Sequence, residues 1–360
     1  MTEEEAKQLL IKYEDGLCTP EEVALVESWY NKTAGSLPPF SVAPDYEKYK
    51  RQTLRKIRGR RASVSLYLRY AAVVAVIAGM AYFIFSPSAQ EKPQIAADIQ
   101  PGSNQAVLTL GNGQKISLNN TKNVSLPGIQ VSNDTASGIV TYNSSANTDP
   151  ALINTISTPS GGQYQLILPD GSKVFLNAAS SLTFPARFAL NKREVNLTGE
   201  AYFEVTKDTK KPFLVTTKGQ LLKVLGTHFN ISAYPDEPLK TTLAEGKVEI
   251  SLTAIPQTTV LQPGDQSIVS LNEVHVEKVN PDDVIAWKDG LFAFNQLPLK
   301  DVFQQLGRWY NVAFESNSKL DNHTFDGEIP RTYTLSQVLS LIELSTNLKF
   351  KVEGRKISIQ

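Results

Sequence analysis

Three histidines and one cysteine limit the chemistry open to this chain of 360 residues. His228, His275 and His323 lie far apart, and none falls in an H-x-x-x-H or cysteine-bearing spacing that would gather metal ligands. Cys18 stands alone near the start, so the long remainder has neither a disulfide nor a thiol ligand. Glu200 and Glu204 fall on an expected strand beside no recognisable nucleophile. The turns "GNG" at 111–113 and "PDGS" at 169–172 lack the strand–loop–helix context of a phosphate cradle, and no G-x-S-x-G element occurs. These residue types and spacings argue for folding roles rather than catalysis, and they imply no cofactor and no metal.

The elements that carry these residues divide the chain sharply. Lys+Arg and Asp+Glu both total 36, so no global charge favours a nucleic-acid partner, and direct DNA binding is not expected. Charge is uneven locally: residues 3–27 hold eight acidic residues against two basic ones, whereas 48–69 hold nine basic residues and no acidic one. Overlapping the end of that basic stretch is "LYLRYAAVVAVIAGMAYFIFS", residues 66–86, whose only charge is Arg69, the last of those nine. As a helix, 20 such positions reach about 30 Å, the thickness of a hydrocarbon core. The run lies too far from residue 1 for a cleaved signal peptide, and a buried soluble helix rarely has so long an uncharged stretch behind so basic a flank. We therefore expect a single crossing of the lipid bilayer. Arg58, Arg60, Arg61 and Arg69 set its orientation, with the N-terminus in the cytoplasm and everything after about residue 88 outside, in the periplasm of a cell with two membranes.

The segment before the crossing reads as helices. Residues 3–14 carry acidic side chains in a first turn, and Thr19, Pro20 and Glu22 are placed as N-cap, N1 and N3 of a helix to about Asn31. A third helix, lined by Tyr46, Tyr49, Leu54 and Ile57, feeds the membrane. Residues 1–62 offer little apolar surface for an independent core. Leu9, Leu10, Tyr13, Trp29 and Tyr30 are the positions expected either to pack these helices together or to meet a cytoplasmic partner.

After a Pro/Ala/Gln-rich linker, 87–100, short alternating runs separated by Gly, Asn, Asp and Pro predict an all-β domain over 101–280. "VLTLGNGQKISLNN" from Val107 and "QLILPDGSKVFLNA" from Gln165 repeat with a constant offset, each a strand, a tight turn and a second strand. Further strands are expected at 195–197, 201–205, 213–216, 221–225, 229–233, 247–252 and 267–271, with turns at Pro185, Gly199, Gly219, Gly246 and Pro263–Gly264. Residues 283–360 then alternate helix and strand. Pro298 is placed at N1 of a helix that buries Leu299, Val302, Phe303, Leu306, Trp309 and Tyr310. Thr334 and Gln337 are placed at the N-cap and N3 of a second, burying Leu335, Val338, Leu339 and Ile342. The fold class is thus multidomain: a short α-helical segment, one transmembrane helix, an all-β domain and a small C-terminal α+β sandwich.

"TPSGGQYQLILPDGSKVFLNAASSLTFP", "LTGEAYFEVT", "KPFLVTTKGQLLKVLGTHFNISAY", "TTLAEGKVEI" and "LQPGDQS" occur in that order. Together they resemble the FecR-type domain of transmembrane anti-sigma factors. "WKDGLFAFNQLPLKDVFQQLGRWYNV" and "FDGEIPR" resemble the C-terminal signalling module, similar to a secretin N-terminal fold, attached to FecR-like regulators of the Bacteroidota. The resemblance implies an inner-membrane regulator that binds an extracytoplasmic-function sigma factor through residues 1–62. Its periplasmic part would receive a signal from the signalling domain of an outer-membrane TonB-dependent transporter, with intramembrane and periplasmic proteases as further partners. It also marks Gly226–Thr227, in "VLGTHFN", as a place where some relatives self-cleave: the threonine hydroxyl would attack the preceding carbonyl in an N-to-O acyl shift. A structural turn is the competing reading there, and His228 stands where a basic residue is common. A membrane-held protein binding glycan or another ligand through Tyr142, Tyr164, Phe184 or Phe188, with no sigma partner, is the alternative function.

The crossing is directly testable. A protease confined to the periplasmic side of spheroplasts should leave residues 1–58 intact while digesting the remainder; loss of that segment would reverse the orientation.

Overall fold

The computed structural model describes residues 98–253, 258–270, 273–315, 323–346 and 348–360, together with positions 12, 19 and 23. The crossing at 66–86, its arginines, and Leu9, Leu10, Tyr13, Trp29 and Tyr30 lie outside the described residues. Near the start, the Val23 amide donates to the Thr19 carbonyl at 2.9 Å, the bond expected where a helix opens at Thr19. Among the described residues no helix is long and apolar enough to cross a membrane.

From residue 103 to 278 the chain is a curled, mostly antiparallel β structure built of two sheets. In strand order, one runs 115–117, 107–109, 153–157, 181–185, 193–198, 213–217, 220–224, 248–252, 258–261. The other runs 123–126, 129–134, 139–144, 162–167, 173–176, 199–204, 228–233, 239–245, 265–270, 273–278. Alternate side chains point between the sheets, where Leu108, Tyr142, Leu166, Phe203 and Phe229 are buried in one continuous core. The two repeated hairpins are present, with Leu108 opposite Ile116 and Leu166 opposite Val174, and with Gly113 and Gly171 at positive φ in their turns.

One strand, Arg193–Glu204, belongs to both sheets. Its first half pairs with Ser181–Pro185 and its second half with His228–Ala233. Gly199, expected as a turn, is instead the point inside this strand where it changes sheets. Its φ is +85°, and an added Cβ would lie 2.4 Å from Ser180 Oγ and 2.7 Å from Ser180 Cα. Pro185 likewise ends a strand rather than forming a turn, whereas Gly219, Gly246 and Gly264 occupy turns with positive φ.

Helix α1, Pro281–Ile285, is capped by Asn280 and runs into a 3-10 turn, Ala286–Asp289, closed by Gly290 in the left-handed conformation. A small α+β region follows. Helices α2, Leu299–Tyr310, and α3, Leu335–Thr346, bury the residues expected of them, with Pro298 as N-cap of α2 rather than its first turn. They pack with a two-stranded sheet, Leu291–Pro298 with Thr324–Pro330, and a three-stranded one, 313–314, 356–359, 350–353. Trp309 and Tyr310 are anchors of this core. The outer edge of Phe350–Glu353 is partly closed, because Glu343 of α3 accepts from the Phe350 amide at 2.9 Å. Residues 98–100, read as the end of a linker, are docked: Ile99 packs on the second core, its carbonyl accepts from the Leu335 amide, and Asp98 accepts from the Ser336 amide and hydroxyl. Asp98 thereby caps α3 from more than two hundred residues away, which no local pattern reveals.

Gly199→Ala should destabilise the β structure by about 2 kcal/mol or more, since both the backbone conformation and the space beside Ser180 oppose a side chain. Urea unfolding of the β structure within the full chain measures it; a smaller change would mean the strand can switch sheets without glycine.

Candidate functional site

The described residues with the densest polar chemistry lie where the β structure meets the α+β region. Arg331 closes the strand Thr324–Pro330 and is 3 % exposed. Its Nη1 donates to the Trp287 carbonyl and its Nη2 to Asn177 Oδ1, both at 2.9 Å. The guanidinium carbon stands 3.7 Å from the Trp309 ring centroid and 5.2 Å from that of Phe292. Trp309 Nε1 returns a bond to the Arg331 carbonyl at 2.9 Å. Burial brings the Arg331 pKa down to about 10, against the pull of the nearby Glu200 carboxylate, so the group is charged at neutral pH.

Glu200 supplies the opposite charge through amides rather than by direct contact. Its two oxygens accept from Asn177 Nδ2 at 2.8 Å and Asn230 Nδ2 at 3.0 Å, and Asn230 Oδ1 faces Trp287 Nε1 at 3.4 Å. Arg308 of α2 forms the second contact. It pairs with Glu237 and covers the Tyr234 ring at 3.9 Å, while Tyr234 donates its hydroxyl to the Ala178 carbonyl at 2.8 Å. Burial raises the Glu237 carboxyl despite Arg308, and it raises the Tyr234 phenol well above its ordinary value. Gly102 lies flat on Trp309, where an added Cβ would be 2.7 Å from the ring. Chain order gave no hint of this joint: Arg331 and Asn177 are 154 positions apart. The signal available in the sequence was a charged residue, Arg331, directly after Pro330.

The other candidate residues disperse. His228 pairs with Glu245 at 3.0 Å on the surface, His275 lies 3.9 Å from Glu277, and the His323 carbonyl accepts from the Leu299 amide. Glu204 is bridged to Lys173 at 3.1 Å. Asp170 of the "PDGS" turn accepts from Ser172 and holds the buried Arg193 at 2.8 Å, so that turn binds its own protein's cation. Among the described residues no group of three His, Cys, Asp or Glu is arranged to hold a metal. Tyr142, Tyr164, Phe184 and Phe188 are all buried in the β core, which removes them as a stacking surface for sugar.

Gly226 and Thr227 precede the strand His228–Ala233. Thr227 is buried and donates its hydroxyl to the Lys247 carbonyl at 3.1 Å. An added Cβ on Gly226 would stand 2.6 Å from Lys207 Cα, and one on Gly246 would stand 3.0 Å from Thr227 Oγ1. Close packing thus gives both the glycine and the small hydroxyl residue a structural reason to be there. Thr227 spends its proton on a carbonyl, which is no general base.

Residues 154–249 match the FecR protein family, and residues 291–359 match the family described as FecR, C-terminal. Two crystal structures of a candidate anti-sigma factor from Parabacteroides distasonis are 32% and 33% identical to this chain, each with a TM-score of 0.53. Each alignment covers 57% of this chain and 98% of the other. No curated protein matches. The chain belongs to the FecR family of anti-sigma regulators. FecR-family proteins are regulatory rather than catalytic and typically anchored in the inner membrane, and the chain's general role is signal relay.

Freshly made protein should run as a single full-length band on denaturing electrophoresis, unchanged by Thr227→Ala. Two fragments that this substitution abolishes would establish the acyl shift instead.

Proposed function

We propose that this chain is a single-pass inner-membrane anti-sigma factor whose cytoplasmic residues 1–62 sequester an extracytoplasmic-function sigma factor. Its periplasmic part takes its signal from the signalling domain of an outer-membrane TonB-dependent transporter. The observation that carries this reading is the presence, in one compact unit from Gln90 to Gln360, of both FecR-family regions, following a basic flank and an apolar run of membrane length. A crossing cannot relay a signal merely by joining two compartments; a change outside must alter how available the inner segment is. Proteolysis within or beside residues 66–86 is one route, and a shifted binding equilibrium in an intact chain is the other. On this reading Leu9, Leu10, Tyr13, Trp29 and Tyr30 are sigma-facing candidates, and Gly226–Thr227 is a structural turn.

Capture tests the proposal. Full-length protein solubilised from its own cells should bring down a sigma factor, and a chain lacking residues 1–62 should not. Equal recovery from both, or none from either, would reject sequestration by that segment.

A further inference from the structure

Beside the joint a cleft of about 570 Å³ opens, with Lys240, Thr242 and Gln266 on one side and Leu291, Ala293 and Asp301 on the other. The strand Leu291–Pro298 forms part of its wall, and it is a sheet edge, bonded on one side only to Thr324–Pro330. The phase of that ladder is fixed by the Arg331 amide, which donates to the Gly290 carbonyl. Positions 292 and 294 therefore face the partner strand, while 291 and 293 turn their amides and carbonyls away from it. Pro330, opposite Leu291, has no N–H to give, which agrees with this phase. Among the described residues nothing bonds to the Ala293 amide or carbonyl outside the ladder. A backbone donor and acceptor are thus left over on a strand that lines a cleft.

The cleft also has a sign. Five carboxylates and three cations line it. Two of the cations are already engaged, Lys278 by Asp265 at 2.8 Å and Arg308 by Glu237. Of the carboxylates Glu237 is taken by Arg308, which leaves four, Glu200, Glu277, Asp283 and Asp301, against Lys240. Glu200 is held inside the joint by the Asn177 and Asn230 amides, while Asp283 accepts from the Asn280 and Asn295 amides and meets no cation among the described residues. An unpaired strand edge calls for an extended main chain, and an excess of carboxylate calls for basic side chains on it.

We propose that this cleft binds an extended lysine- or arginine-bearing peptide segment of a partner protein, which adds as a strand along Leu291–Asn295. Main-chain bonds form at Ala293, and the peptide's cations meet the carboxylates of Glu277, Asp283 and Asp301. The proposal rests on the relay reading for the partner's identity as the periplasmic segment of an outer-membrane protein, but not for the binding itself.

The probe is a fluorescein-labelled heptapeptide of alternating lysine and valine, titrated against the full chain in detergent and followed by fluorescence anisotropy. It should bind more tightly as salt is lowered, and its glutamate–valine counterpart should bind at least about tenfold more weakly. Methylating alternate amide nitrogens of the peptide should cost a similar factor. So should Ala293→Pro, which removes a donor on the free side of the strand and leaves the ladder intact. Asp301→Asn combined with Glu277→Gln should flatten the salt dependence. Equal binding of both peptides, indifference to peptide methylation, or no binding of the lysine peptide at millimolar concentration would each overturn the cleft. N-methylation leaves the protein untouched, so the result does not depend on the folding of any variant. Failure here with sigma capture intact rejects the cleft and spares the relay; peptide binding without sigma capture does the reverse.

Discussion

A guanidinium that gives up its water needs acceptors in its place, and Arg331 finds one for each terminal nitrogen, in two different parts of the chain, while its buried Nε makes no hydrogen bond among the described residues. The Trp287 carbonyl and Trp309 ring come from the C-terminal stretch, whereas the Asn177 amide oxygen comes from the β structure, backed by the Glu200 carboxylate. Separating these parts would leave the charge facing an apolar wall or reopened to water. Such a contact adds little net stability compared with a well-packed apolar one. What it supplies is orientation, because only one alignment satisfies a planar cation, two acceptors and an aromatic face together.

The rest of the unit from Gln90 to Gln360 is consistent with that constraint. Arg308, Glu237 and Tyr234 form a second polar contact across the same boundary. Gly102 has no side chain because Trp309 occupies its space, and the Gly161 amide donates to the Arg308 carbonyl. Asp98 caps α3, where burial works to raise its carboxyl and hydrogen bonding at the start of the helix outweighs that and holds it below its ordinary value. The first described residues after the apolar run therefore touch the C-terminal helix as well as the β sheets. An event at the C-terminal region has a short mechanical path to residues 98–104.

The β structure shows how a local rule and a global one divide a single residue. The permissive backbone of Gly199 is plain in the sequence, but its use is not: a turn and a change of sheet both call for positive φ. The aromatic residues divide in the same way. Tyr142, Tyr164, Phe184 and Phe188 have the chemistry of a sugar platform or of a core, and only the position of the opposite sheet assigns all four to the core.

Periodicity sufficed for the helices α2 and α3, whose buried faces follow directly from residues spaced three and four apart, and for the paired hairpins with their Asn-Gly and Asp-Gly turns. The succession from a β structure to a small α+β region was equally legible. These properties are set by neighbours in the chain, where geometry is fixed by covalent structure. The joint around Arg331, the capping of α3 by Asp98 and the sharing of Arg193–Glu204 between sheets were decided only by tertiary structure. Each depends on groups distant in sequence meeting at hydrogen-bond range, and a linear pattern contains no distance of that kind.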